Sequence, residues 1–395
     1  MPIILHFDGK IIQDITDVIK MKRDQFAVIA NIDGTFYLLA IPAIESGTGE
    51  DQFKALVECC EEYDLKDKVK GICFDTTASN TGTKSGTNVR FSKYEGSIMI
   101  ELACRRHVME LHCKHFWENV SAAKTSGPDN PVFKRFQQNW NDIKSKFDVS
   151  LLEKLEWQEN KSQDFKNKII ETISFCKQIL ENETFVRGDY KELVELSLMY
   201  LSKDYTTKIH APQSVSHARF MSKGIYYLKI QLLSNQLPYL LSASQKKEVK
   251  RMAEFIFIYY SVWFSKSALT ASAPFCDLKA FQEMALYRKL KEEYEPEAER
   301  VHDGINAIQM SIEKHSWYLS EVTVVLCLAD PDSSDVAKQL VARKLFNTPV
   351  PKKFDSNVQS LHLSDMNVYE PNFLEVGLAR FIGPNSWFIF SLPDM

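Results

Sequence analysis

The densest group of residues with chemical potential is Gly71-Ile72-Cys73-Phe74-Asp75-Thr76-Thr77-Ala78-Ser79-Asn80-Thr81-Gly82. A short apolar run beginning at Val69 ends in a carboxylate, and a loop of small hydroxylated residues follows, closed by Gly82. This pattern predicts a buried strand that delivers Asp75 to the exposed C-terminal end of a sheet, where open α/β sheets place ligands. The competing role for Asp75 is a cap within the Thr/Ser/Asn cluster. Two further acids have comparable settings. Asp8 follows the apolar run Ile3 to Phe7, and Glu321 lies among Trp317, Tyr318, Leu319, Val322, Val324 and Val325, where an unpaired acid is costly. Glu321 is chosen over Glu283, Glu313 and Asp330 for that reason, against the alternative that it pairs with a lysine or faces solvent. Clustered carboxylates suit two-metal phosphoryl transfer, because Mg2+ or Mn2+ takes hard oxygen ligands and two adjacent cations need neutralising.

A second group is Cys104-Arg105-Arg106-His107, followed by His112, Cys113 and His115. On a helix Cys104 and His107 share a face, whereas His112 and Cys113 point elsewhere. With no second ligand pair of zinc-site spacing, a structural role is favoured over zinc. Arg105 and Arg106 either face DNA or face solvent. Between Lys203 and Lys229, the cations Lys203, Lys208, Arg219, Lys223 and Lys229 stand against Asp204 alone, interleaved with Phe220, Tyr226 and Tyr227. That mixture fits a nucleic-acid backbone and unpaired bases, although a solvated helix face over buried aromatics is commoner. No glycine-rich phosphate loop, no Gly-x-Ser-x-Gly elbow and no His-Glu-x-x-His pair is present.

Several elements must position these groups. Ile3 to Phe7, Gln25 to Ala30 and Thr35 to Ile41 read as three antiparallel strands, the last two joined by an Asp33-Gly34 hairpin. Thr48 or Ser46 caps an amphipathic helix through Phe53, Leu56, Val57, Cys60 and Tyr63. Val69 to Phe74 is then a strand parallel to the first, reached through a crossover helix. Asp8 and Asp75 therefore sit on adjacent central strands. Ile98 to Val120 reads as one helix, and Gly127-Pro128-Asp129-Asn130-Pro131 breaks it. From Val132 to about Gly304 the pattern is helical throughout: Val132 to Ile143, Ser162 to Leu180, Tyr190 to Leu201, Ala218 to Leu233, Ser244 to Phe264 and Leu278 to Glu293. Val301 to Leu328 and Ser334 to Phe346 are helical again, before a loop-rich tail.

The 395 residues suffice for one large or two medium domains. A formal net charge of -4 argues against wholesale coating of nucleic acid and leaves a local basic groove open. The Met-Pro-Ile-Ile-Leu start lacks the features of a signal peptide, and Phe255 to Phe264 is too short to span a bilayer, so no membrane partner is expected. Eight cysteines without a scaffold rhythm suggest free thiols in a reducing compartment.

Strand, hairpin, helix, strand is the opening order of a ribonuclease H-like fold. Phe74 to Gly82, Cys104-Arg105-Arg106-His107 and Ser216-His217-Ala218-Arg219-Phe220, taken in that order, resemble hAT-like DNA transposases. Ser46-Gly47-Thr48-Gly49 and Gly127-Pro128-Asp129 are similar to a group of transposon-derived animal proteins. The resemblance covers most of residues 1 to 346, with Phe220 where the family usually has Trp. It implies an α/β fold with a ribonuclease H-like mixed sheet and a large all-α insertion. The divisions are 1–126 as the first part of the core, 127–304 as the insertion, 305–346 as helices completing the core and 347–395 as tail. It also implies Asp8, Asp75 and Glu321 as catalytic acids holding Mg2+ or Mn2+, with Cys104, His107, Arg105 and Arg219 structural or DNA-contacting. The function implied is phosphodiester cleavage and strand transfer at transposon DNA ends. The alternative is a domesticated, inactive protein that binds DNA or protein partners. The resemblance implies a homo-oligomer, nuclear if catalytic or cytoplasmic if domesticated. Such transposases usually carry a DNA-binding module before the core, which here is expected to be lost or on another chain.

Overall fold

The computed structural model describes residues 2–13, 22–121, 130–155, 162–182, 185, 187–212, 220–237, 239–266, 270–296, 299–355 and 362–392. Arg219 and Gly127-Pro128-Asp129 lie outside them. Strands β1 (Ile3–Gln13), β2 (Lys22–Ile32), β3 (Thr35–Ala40), β4 (Ala43–Ile44), β5 (Val69–Phe74) and β6 (Ile100–Ala103) form one mixed sheet. Its order is β3-β2-β1-β5-β6, with β4 also paired to β2. β1, β2 and β3 are antiparallel, while β5 and β6 run parallel to β1. The β2–β3 hairpin turns on Asp33 (φ 50) and Gly34 (φ 76). Both central residues have positive φ, as a type I′ turn requires. β1 continues past Asp8, pairing it with Ala27.

Helix α1 (Gly49–Glu62) starts where Thr48 accepts a hydrogen bond from the Asp51 N–H. Its inner face, Ala55, Leu56, Cys59 and Cys60, packs with Leu5, Phe7, Phe26, Val28, Ile72 and Phe74 in one cluster. Each fully buried aliphatic or aromatic side chain there contributes about 1.5–3 kcal/mol. Short helices α2 (Ala78–Thr81) and α3 (Thr87–Glu95) lie between β5 and β6.

The expected helix from Ile98 to Val120 is in fact β6 followed by α4 (Arg105–Val120). A short apolar run such as Ile98 to Ala103 fits a buried strand as well as a helix, and backbone pairing with Gly71 to Phe74 settles it as strand.

The remaining helices are α5 (Pro131–Gln138), α6 (Trp140–Ser145), α7 (Gln163–Asn182), α8 (Gly188–Leu201), α9 (Phe220–Leu232), α10 (Ala243–Phe255) and α11 (Ser261–Lys266). They continue with α12 (Ala273–Tyr294), α13 (Glu299–His315), α14 (Asp335–Phe346) and α15 (Phe373–Arg380). A buried π-helical turn, Ile256–Tyr260, joins α10 to α11.

The chain divides into two compact units. The first holds Met1–Val108, Leu269–Lys279 and Glu313–Met395, and contains the sheet. The second, Met109–Ala268 and Ala280–Ile312, has helices and no strand among its described residues. Expectation placed the helical block at 127–304; in the structure it begins within α4, and a segment at the start of α12 returns to the sheet unit. The second unit is held by aromatic stacks such as Tyr200 on Phe257 (4.0 Å) and Phe116 on Phe255 (4.3 Å). Among the described residues no helix is long and apolar enough to cross a membrane.

Two expectations about the C-terminal third need correction. The helix through Glu321 stops at His315, and Ser316–Tyr318 and Val324–Ala329 are separate 3-10 turns. Thr323 donates its hydroxyl to the Tyr318 carbonyl and accepts from the Ser320 N–H, local bonds that compete with a continuous helix. The tail is also more ordered than loop, with α15 and a 3-10 helix over Pro384–Ser391.

Candidate active site

Asp8 lies within β1 and Asp75 directly follows β5, the two strands of the central parallel pair. β1 and β5 are in register at Leu5 with Ile72 and at His6 with Cys73. Extended two residues past its last pair, that register would bring Asp8 opposite Asp75, which lies one residue beyond the end of β5. Side chains alternate along a strand, so both carboxylates continue the face of His6 and Cys73. The opposite face carries Phe7 and Phe74, which stack at 5.5 Å in the core. Asp8 is exposed and Asp75 half-buried.

Of the two roles weighed for Asp75, the structure shows the cap within its loop. Its Oδ1 accepts from the Thr77 N–H (3.1 Å), the Thr77 hydroxyl (2.7 Å) and the Asn80 amide (2.7 Å). This is an Asx-type turn that fixes the loop, while Oδ2 has no hydrogen-bond partner among the described residues. The loop itself is braced from α1. The buried Thr87 hydroxyl lies within hydrogen-bonding distance of Gln52 Oε1 (2.9 Å), the Ser79 carbonyl (3.1 Å) and the Gly49 carbonyl (3.4 Å). Gly49 has to be glycine, because a β-carbon there would lie 2.7 Å from the carbonyls of Ser79 and Ser85. Ser46-Gly47-Thr48-Gly49 thus acts as both helix cap and loop seat.

Sequence reasoning missed the supporting roles of Asn80 and Thr87, and the position of His6 on β1. His6 precedes Asp8 by two residues on the same face, a signal that the His-x-Asp alternation on a strand could have given. Burial lowers its pKa, and its ring meets Phe36 edge-on at 5.5 Å.

Glu321 is placed elsewhere. It lies in the turn between the two 3-10 segments, and its Oε2 accepts from the Asn385 N–H at 3.0 Å. It therefore caps the Pro384–Ser391 helix, with Gly383 packed so closely that a side chain there would collide with the carboxylate. The other late acids are also engaged. Asp330 accepts from the hydroxyls of Ser272 (2.6 Å) and Ser333 (2.5 Å), and Glu283 pairs with Lys168 at 2.6 Å. Glu313 accepts from the Ser364 N–H at 3.3 Å.

The Cys-x-x-His segment is tied to the same sheet edge through its backbone. Cys104 donates its N–H to the Phe74 carbonyl (2.8 Å), extending the β5–β6 ladder to the residue before Asp75. Arg105 is buried rather than facing DNA. It bonds Asp277 through both terminal nitrogens, at 2.8 and 2.5 Å, and also contacts the Tyr318 hydroxyl. Burial pushes the Cys73 thiol up to about 12, and the Cys113 thiol likewise. His107 is half-buried in the first turn of α4. No group of three or more His, Cys, Asp and Glu side chains poised for a metal occurs among the described residues.

The basic, aromatic stretch resolves largely into core. Lys229 is buried and paired with Glu192 at 2.8 Å, Lys223 lies over the Trp117 ring at 4.5 Å, and Tyr226 and Tyr227 are buried. Only Lys203 and Lys208 of the described cations are exposed. No family model, curated protein or solved structure matches the chain.

Proposed function

We propose that this chain is a transposon-derived DNA-processing protein with a ribonuclease H-like core, in which Asp8 and Asp75 hold Mg2+ or Mn2+. The reading rests above all on the β1–β5 register, which pairs Leu5 with Ile72 and His6 with Cys73 and, extended two residues toward the ligand-binding edge of the sheet, would bring Asp8 opposite Asp75. The strand order, with three antiparallel strands followed by two parallel ones, supports it. The donor set fits the ion, since Mg2+ is commonly held by one or two carboxylates together with substrate phosphates. When bound, the metal supplies Lewis-acid stabilisation of a phosphoryl group and a more acidic water. The chain's own part is orientation. Thr77 and Asn80 hold Asp75 by Oδ1, which leaves Oδ2 for an ion or a phosphate-bound metal. The substrate class is DNA, at a transposon end or a derived target, and the reading includes a homo-oligomer acting in the nucleus.

A second reading has its own support. Glu321 caps a C-terminal helix, so the site has two acids where the resemblance implies three. That arrangement favours a domesticated, non-catalytic protein that binds DNA or protein partners. Metal-dependent nicking of duplex or hairpin DNA, compared with Asp75→Ala, decides between them. Nicking that the variant abolishes supports the catalytic reading, and equal, metal-independent behaviour of the two proteins removes it.

A further inference from the structure

A cavity of about 520 Å3 opens in the sheet unit between α3, the loop before β6 and the 317–322 segment. Glu101, on edge strand β6 in register with Ile72, lines it. Burial raises the pKa of this carboxyl. Its one hydrogen bond among the described residues is a long one, from the Asn88 amide to Oε1 at 3.4 Å. The remaining walls combine apolar side chains, Val89, Met99, Val322 and Trp317, with the hydroxyl residues Thr83, Ser92, Ser97 and Ser320. Lys93 also lines the cavity, but it is exposed, and no ion pair joins it to Glu101. Glu101 is half-buried, and a carboxylate in that setting with no counter-ion among the described residues gains from a cation that enters the cavity. The size suits a small molecule.

We infer that this cavity binds a small organic cation, an alkylguanidinium or alkylammonium, with Glu101 as its counter-ion and the apolar walls around its hydrocarbon part. The inference stands apart from the Asp8–Asp75 site and goes beyond the DNA-processing reading.

Calorimetry of the full-length protein with butylguanidinium, butylammonium and the uncharged pentanamide tests it. Both cations should bind with a Kd on the order of 1 mM or tighter, and the amide at least about tenfold more weakly. Glu101→Gln should erase the preference for cation over amide. Carbon-13 titration of the Glu101 carboxyl in the wild-type protein gives a readout that does not depend on the variant folding. Saturating cation should lower its pKa. Absent cation binding, an undiminished preference in Glu101→Gln, or a carboxyl pKa indifferent to the cation would each overturn the inference. These readouts involve no metal ion, so failure here is distinguishable from failure of the metal site.

Discussion

Replacing Asp277 by alanine strips the buried Arg105 guanidinium of its carboxylate. The two side chains are 6% and 4% exposed and the ion pair is 2.5 Å long, so no water stands ready to take over. Breaking such a pair by removing one partner costs about 3–5 kcal/mol, mostly the penalty of an uncompensated buried charge. Tyr318 keeps one hydrogen bond to Arg105 and places the loss toward the lower end. With an m-value of about 2 kcal/mol/M, the urea midpoint of the sheet unit should fall by about 1.5–2 M. The double variant Arg105→Met, Asp277→Leu removes both charges and should recover most of that shift. Urea melts followed by circular dichroism, run on the wild type, the single variant and the double variant, provide the comparison. A loss below about 1 kcal/mol in Asp277→Ala, the range of exposed pairs, would refute the argument. Arg105 would then be a solvated cation available to DNA.

Other consequences are equally accessible. Gly49→Ala forces a β-carbon against the Ser79 and Ser85 carbonyls and should destabilise the protein by about 1–3 kcal/mol, read as a lower Tm. Glu321→Gln weakens a charge-assisted cap and should cost about 1–2 kcal/mol in thermal unfolding. Glu101 is raised in the folded state, so its contribution is fully present below the unfolded carboxyl pKa and is lost as pH rises through the folded one. Glu101→Gln should therefore gain stability over the wild type as pH climbs from about 4 toward neutral. Tm measured across that range checks the sign, and a gap that narrows with rising pH would contradict it.

The parts of the fold that local rules control were legible in the sequence. Asp33-Gly34 announced its hairpin through turn chemistry, Thr48 its cap, and Val69 to Phe74 its strand. The helices of the second unit followed from apolar spacing, because each buries one face. What failed was decided by distant partners. Ile98 to Ala103 became a strand because β5 offers it a backbone edge. The helix through Glu321 ended where local Thr323 bonds are joined by distant ones from the Tyr318 hydroxyl to Arg105 and Asp277, with no proline or glycine to mark the stop. Lys223 and Lys229 looked like a nucleic-acid patch because sequence shows charge without showing Glu192 or the Trp117 ring. The placement of Asp8 on β1 and of Asp75 just after β5 was recoverable from strand order, whereas the setting of Glu321 depended on Asn385, 64 residues away.

The most direct test of the central claim is calorimetric titration of Mg2+ and Mn2+ into the wild type, Asp8→Asn, Asp75→Asn and Glu321→Gln. The account predicts binding that either aspartate variant abolishes and that Glu321→Gln leaves within about twofold, since that carboxylate caps a helix. Binding that survives both aspartate substitutions, or that Glu321→Gln alone destroys, would contradict a metal site built on Asp8 and Asp75.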